Sequence, residues 1–325
     1  MPITVRERHI PLTAIRDAAT AVYAAAIRTP LVRVELRDSG VAENIELFLK
    51  LELLQPIGSF KIRGAYNAVR TLPADVRAQG VWTVSAGNAA QGVALAARQA
   101  GVACRVLVIE TAPAAKLDAI RRLGADIVPA SYDDCWKALG ERSHPAMTGA
   151  FVHPFEDDAF IAGNATAGIE ILEDLPDVDA VVAAFGGGGL SCGIASVMSL
   201  RNPRVRVFAA EPETAAPLAR SFAAGSPQAF PEWTASWVDG CGGKSVFPRM
   251  WALAQHVLEG SVVCSLEETR RAMKLVAERN HIIAEGAGAC AVAAALSGRC
   301  GTGKVVAVVS GGNIDLDRFR ELTAT

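Results

Sequence analysis

AVVAAFGGGGLSCGIASVMSL, residues 180–200, runs an uninterrupted apolar strand pattern into four consecutive glycines and then into a helical pattern. A strand with no polar alternation is covered on both faces, which is the situation of a parallel sheet flanked by crossover helices. Six further apolar, β-branched runs fit the same reading: IELFLK (45–50), VWTV (81–84), CRVLVI (104–109), DIVP (126–129), VRVFAA (205–210) and VVAVVS (305–310). Ala/Leu-rich helical patterns separate them. After VWTV, for instance, the turn SAG leads to Asn88, a residue type that caps helices, and AAQGVALAARQA continues until Gly101. The chain therefore reads as α/β, with two lobes, each built on a mainly parallel open sheet between helices.

The length of 325 residues suits two lobes. Residues 78–150 contain three strand–helix units and read as a small domain, while 1–77 and 151–325 together form the large one. The chain thus crosses between lobes at least twice, and 225–245 reads as a long irregular loop. A content of 51% hydrophobic and 20% charged residues argues against disorder. With a net charge of −2 and no long basic run, nothing draws the chain to nucleic acid or to an anionic membrane, and small molecules are the expected partners. The seven cysteines form no CxxC or Cys/His cluster and read as reduced thiols of a cytoplasmic protein. MPITVRERHIPL has no apolar run of signal-peptide length, and no stretch is long and apolar enough to span a bilayer. The five histidines show no metal-ligand spacing.

Four segments carry candidate chemistry. In GSFKIRGAYNAV (58–69), Ser59 is a plausible N-cap that places Lys61 in the first turn of a helix. The helix dipole there disfavours an ammonium and so favours Schiff-base chemistry, although a solvated surface lysine would have the same local sequence. Gly186 to Gly189 leave backbone N–H groups unobstructed at a helix start, which suits a phosphate. A plain tight turn is one alternative. A dinucleotide turn is another: Gly186-x-Gly188 fits, Ser191 stands at the third position, and Glu211 mimics a ribose-binding acid. SAGNAAQG (85–92) and SGGN (310–313) follow predicted strands, at the edge where parallel sheets bind ligands.

Taken in order, and over nearly the whole chain, these segments resemble the fold-type II pyridoxal 5'-phosphate enzymes, whose architecture is tryptophan synthase β-like. Within that family they resemble the serine/threonine dehydratase and serine racemase branch. FVHPFEDDAFIAGNATAGIEI (151–171) also reads like this branch. The resemblance implies that Lys61 carries the cofactor as a Schiff base beside Phe60, and that Gly186, Gly187, Gly188, Gly189 and Leu190 hold the phosphate. It implies that Asn88 meets the ring hydroxyl and that Ser310 faces the pyridine nitrogen. It places the substrate carboxylate on Ser85, Ala86, Gly87, Asn88 and Ala89, with Gly240 passing beside the ring and Glu285 near the site. The implied reaction has the freed Lys61 amine remove the α-proton of a 3-hydroxy-amino acid such as L-threonine or L-serine; the β-hydroxyl then leaves, and hydrolysis gives a 2-keto acid and ammonia. A serine at the pyridine nitrogen favours prompt elimination over transamination.

Three departures from the branch bear on substrate and metal. Ala89 replaces a histidine common in relatives and enlarges the pocket. Ala86 replaces the acid/base serine of racemases, which disfavours racemisation. The racemase metal site keeps Glu211 and Ala215 but has Pro217 where a carboxylate is expected, so no tight metal is expected. The absence of a C-terminal extension implies no feedback domain, and relatives suggest a homodimer. The competing readings are dehydration of a bulky substrate such as phenylserine, then serine racemisation or β-replacement by a synthase, and, from a different class, a non-catalytic nucleotide-binding module. His153 reads as a hydrogen-bonded structural histidine, with a cleft-lining role as the alternative; Trp233 and Trp237 read as packing or contact residues, with a pocket role as theirs.

Overall fold

A computed structural model describes residues 7–37 and 44–324; the first six residues of the stretch read for a leader lie outside them. Six strands form the larger sheet: β1 (Leu31–Arg33), β2 (Ile45–Lys50), β7 (Ala180–Ala184), β8 (Arg206–Pro212), β9 (Gly260–Cys264) and β10 (Gly303–Val308). Their order is β1-β2-β10-β7-β8-β9, all parallel except for β1 at one edge. The smaller sheet contains β3 (Val81–Val84), β4 (Cys104–Ile109), β5 (Asp126–Ala130) and β6 (Ala150–Phe151) in the order β5-β4-β3-β6, all parallel.

The helices are α1 (Leu12–Ala21), α2 (Lys61–Arg70), α3 (Ala74–Ala78), α4 (Asn88–Ala100), α5 (Ala114–Arg122), α6 (Tyr132–Glu141) and α7 (Asp158–Asp174), then α8 (Ser191–Arg201), α9 (Pro217–Ala224), α10 (Pro248–Val257), α11 (Leu266–Asn280), α12 (Gly286–Leu296) and α13 (Leu316–Thr323). Strand β7 shows why its sequence lacks alternation. Val181 and Ala183 join the core formed with α7, α8 and α10, whereas Ala180, Val182 and Ala184 join the opposite core with α11 and α12. Both faces are dry, so both residue sets are apolar. The small residues of α12, GAGACAVAAAL, are nearly all buried and let that helix sit close against the sheet.

Two caps differ from expectation. Phe60, not Ser59, occupies the N-cap of α2, and the buried Ser59 hydroxyl has no hydrogen-bond partner among the described residues. Gly87, not Asn88, caps α4, because the Asn88 side chain is committed elsewhere. All seven cysteines are buried and free. Among the described residues, no helix is long and apolar enough to cross a membrane.

Candidate active site

Parallel strands end on a common side, and three neighbours in the larger sheet, β2, β10 and β7, lead respectively into the Lys61 segment, the Ser310 segment and the glycine loop. Topology therefore brings together segments that lie far apart in sequence. The Phe60 N–H donates to the Ser310 carbonyl (3.0 Å) and the Gly312 N–H to the Gly58 carbonyl (2.9 Å), pinning GSFK to SGGN. Asn313 Nδ2 donates to the Ile57 carbonyl and to Asn88 Oδ1, both at 2.8 Å. Asn88 Nδ2 in turn donates to Glu285 Oε1 (2.8 Å). Asn88 thus reaches across from the smaller sheet and is oriented by two partners of the larger one.

Lys61 opens α2, with its amine turned inward. Nζ donates to the Pro154 carbonyl (2.7 Å) and lies 5.2 and 5.4 Å from the ring centroids of Phe60 and Phe160. Burial lowers its pKa to about 8, against the opposing pull of Glu285. This is not a solvated surface lysine. Burial likewise pushes the Glu285 carboxyl up to about 8, helped by the charge of Asp239 and opposed by the Asn88 hydrogen bond.

The glycine loop ends at Leu190, the N-cap of α8. Gly188 has φ +89°, and a Cβ at Gly187 would lie 2.1 Å from the Phe155 ring, so neither position accepts a side chain. The N–H groups of Gly187 to Leu190 make no backbone hydrogen bond among the described residues. A helix start with free N–H groups is an anion site in waiting. Beside it, a Cβ on Gly186 would come within 3.0 Å of the Gly240 carbonyl, and one on Gly240 within 3.5 Å of Glu285 Oε1. Gly240 therefore connects the loop to the Asn88–Glu285 pair. Of the remaining expected residues, Ser85 Oγ accepts the Gly87 N–H (3.1 Å), Ala89 and Ser310 are buried, and Ala86 packs on the core of the smaller sheet. An enclosed amine of lowered pKa beside a phosphate-sized set of free N–H groups fits a phosphorylated aldehyde.

Glu211 is fully buried and accepts from the Leu218 and Ala219 N–H groups (both 2.8 Å) and from Ser261 Oγ (2.6 Å). A carboxylate spent on the first turn of α9 is not available to a ribose, which removes the main support of the dinucleotide reading. His153 Nδ1 accepts the N–H groups of Glu156 (3.1 Å) and Phe155 (3.4 Å), and burial with nearby cations pushes its pKa down to about 3. It is a neutral structural residue that shapes the turn carrying Phe155. Trp237 lines a solvent-facing cavity with Lys116, Asp239 and Glu285, and Trp233 lies under the Lys244 amine.

The sequence reading missed a buried charge cluster behind Lys61. Arg63 pairs with Glu52 (2.7 Å) and Glu170 (2.7 Å), while Lys50 pairs with Glu170 (2.6 Å); all four side chains are fully buried. The available signal was Lys50 itself, a charge closing the largely apolar strand IELFLK, which demands a partner once it is buried.

A profile of the family described as "Pyridoxal-phosphate dependent enzyme" matches residues 22–311, and the chain belongs to that family. It is 39% identical over 291 residues to the L-threonine ammonia-lyase of Thermotoga maritima, covering 88% of this chain and 72% of that one. It is 35% identical over 325 residues to L-threonine dehydratase catabolic TdcB of Staphylococcus aureus strain N315, covering 97% and 93%. Maize serine racemase superposes with a TM-score of 0.86 at 31% identity, over 97% of this chain and 96% of that one.

Proposed function

We propose that this chain is a lyase of amino-acid metabolism that converts a 3-hydroxy-amino acid of the L-threonine/L-serine type into a 2-keto acid and ammonia. The observation that carries the reading is the convergence of an enclosed lysine amine and the free N–H groups of the glycine loop at the ends of β2 and β7, the two strands that flank β10. The names of the two similar lyases support it. When bound, pyridoxal phosphate supplies an electron sink for the α-carbon. Lys61 would anchor it covalently and serve as the base for the α-proton, and a pKa near 8 keeps a usable fraction unprotonated at neutral pH. The Gly187–Leu190 N–H groups would hold its phosphate, and Phe60, Asn88 and Ser310 would line the place of its ring. The N-terminal turn of α4, from Ser85 to Ala89, receives the substrate carboxylate. Ala86 in place of a hydroxyl leaves Ser85, whose Oγ accepts the Gly87 N–H, as the one hydroxyl of that segment, which disfavours racemisation.

The test is direct. Holoenzyme incubated with L-threonine, L-serine and phenylserine is assayed for keto acid and ammonia; Lys61→Ala should lower turnover about a thousandfold or more and abolish the visible absorbance of the lysine-bound cofactor. D-amino acid released without keto acid would overturn the lyase reading. Residues 78–150 act as the small unit that moves against the rest. The reading also includes a homodimer in the cytoplasm. The exposed Tyr23, Ile27 and Leu54, gathered by the Ile27–Gln55 hydrogen bonds, support the dimer, and the buried free thiols support a reducing compartment.

A further inference from the structure

Two cavities meet at Asp239. The first is the solvent-facing one, lined by Lys116, Glu285, Arg318 and their neighbours. The second, of about 170 Å³, is bounded by Gly186, Gly187 and Gly240 on one side and walled by Trp136, Phe155 and Phe247 on the other. Lys61, Phe60, Asn88 and Ser310 do not line it; of the proposed cofactor contacts only the glycine loop, through Gly186 and Gly187, borders it, together with Gly240. Its deeper surface is Phe185, Val246 and Met250. Asp239, at the rim, is its one charged lining residue.

The walls come from three separate parts of the chain: Trp136 from α6, Phe155 from the turn after β6, and Phe247 from the N-cap of α10. The Phe247 ring stands 5.7 Å from Trp136 and 5.6 Å from Phe155, tilted by 55° and 67°. These are the offset and edge-to-face arrangements that aromatic rings prefer, and a further ring extends such a cluster. His153 packs nearly perpendicular to Phe155 at 4.5 Å and holds it in place. An apolar cavity of about 150 Å³ is enough to take a benzene ring. A threonine methyl would leave most of this one empty, and a carboxylate-bearing side chain would find no cation on its walls.

We propose that this aromatic cavity receives the substituent on the β-carbon of the substrate and that the preferred substrates are 3-aryl-3-hydroxy-amino acids, the aryl-serines. The proposal rests on the dehydratase reading above and narrows it. The α-proton passes to Lys61, the bond from the β-carbon to oxygen breaks and the hydroxyl leaves as water, and a second water displaces ammonia. Phenylserine thus gives phenylpyruvate and ammonia with no net gain or loss of water.

The experiment compares kcat/KM for phenylserine, L-threonine and L-serine on the holoenzyme, then on Trp136→Ala and Phe247→Leu, with the exposed Lys137→Ala of α6 as control. Phenylserine should exceed L-threonine at least tenfold in the unmodified protein. Either pocket substitution should reduce that ratio at least tenfold, mainly through KM, and the control should not change it. If L-threonine or L-serine gives keto acid and phenylserine is equal or worse, the cavity assignment is wrong while the lyase reading stands. That outcome is read on the unmodified protein, so it does not depend on the variants folding. No keto acid from any of the three would remove the lyase reading and this proposal with it.

Discussion

Burial draws Lys61 and Glu285, an amine and a carboxyl, toward the same pKa. Both values come to about 8, so at neutral pH the carboxyl is mostly protonated and the amine is partly free. Two outcomes follow for the apoprotein. The rate at which it captures pyridoxal phosphate should rise with pH and level off above about 8, as followed by visible absorbance; a rate still climbing at pH 10 would contradict an enclosed amine. For stability, the folded Glu285 holds its proton at pH values where the unfolded chain has released it. Its contribution is therefore present at low pH and is lost as pH rises from about 5 to 8, at a slope approaching about 1.4 kcal/mol per pH unit. Lys61 acts in the opposite sense, and only above pH 8, because the unfolded lysine binds protons up to about 10.5. Urea unfolding of Glu285→Gln should consequently show a shallower decline between pH 5 and 8, ending near 7, because Glu211, which burial pushes up to about 7, still contributes below that pH. An unchanged profile would show that Glu285 is not the group responsible.

At the scale of elements, the question is what holds α2 so that its first residue points inward. Arg63, one half-turn beyond Lys61, anchors the helix to the turn at Glu52 and to Glu170 on α7, and Lys50 completes a balanced set of two cations and two anions. Removing one member leaves a buried charge uncompensated, which costs about 3–5 kcal/mol, a large fraction of the roughly 5–15 kcal/mol that holds a protein folded. Arg63→Met should therefore lose about that much in urea unfolding, whereas a loss under 1 kcal/mol would mean the cluster is hydrated. The sequence could not display the whole cluster, because Glu170 lies more than a hundred residues from Lys50, Glu52 and Arg63 and meets them only in the folded chain. The buried central strands were far more legible. Residues 45–50, 81–84 and 104–109 form strands over the same bounds as their apolar runs. The unread strands β1, β6 and β9 are short or half-exposed edges without a continuous apolar run. The capping expectation failed at Ser59 and Asn88 because hydrogen bonds and packing from distant segments outweighed local preference. The motif residues of the site could be named from sequence, but not the walls around it: Trp136, Phe155 and Phe247 come from unrelated stretches and are adjacent only in the folded chain.

Across the whole molecule, helices of the smaller sheet meet the larger sheet's segments at two points, through Asn88 of α4 and where Lys116 of α5 pairs with Asp239 beside Gly240. Both side chains are about half exposed, so the pair contributes little to stability, on the order of 0–1 kcal/mol. Its position matters more than its strength. Asp239 lines both cavities and stands next to Gly240, so the pair ties α5 to the rim that the two cavities share. If closure of residues 78–150 over substrate forms or tightens this contact, Lys116→Ala should leave the unfolding midpoint within about 1 kcal/mol of the unmodified protein and raise KM several-fold. An unreactive substrate analogue should then contract the unmodified holoenzyme in small-angle scattering and contract the variant less. Identical scattering with and without the analogue, together with an unchanged KM in the variant, would mean that the two units are already locked and that substrate enters a preformed cleft.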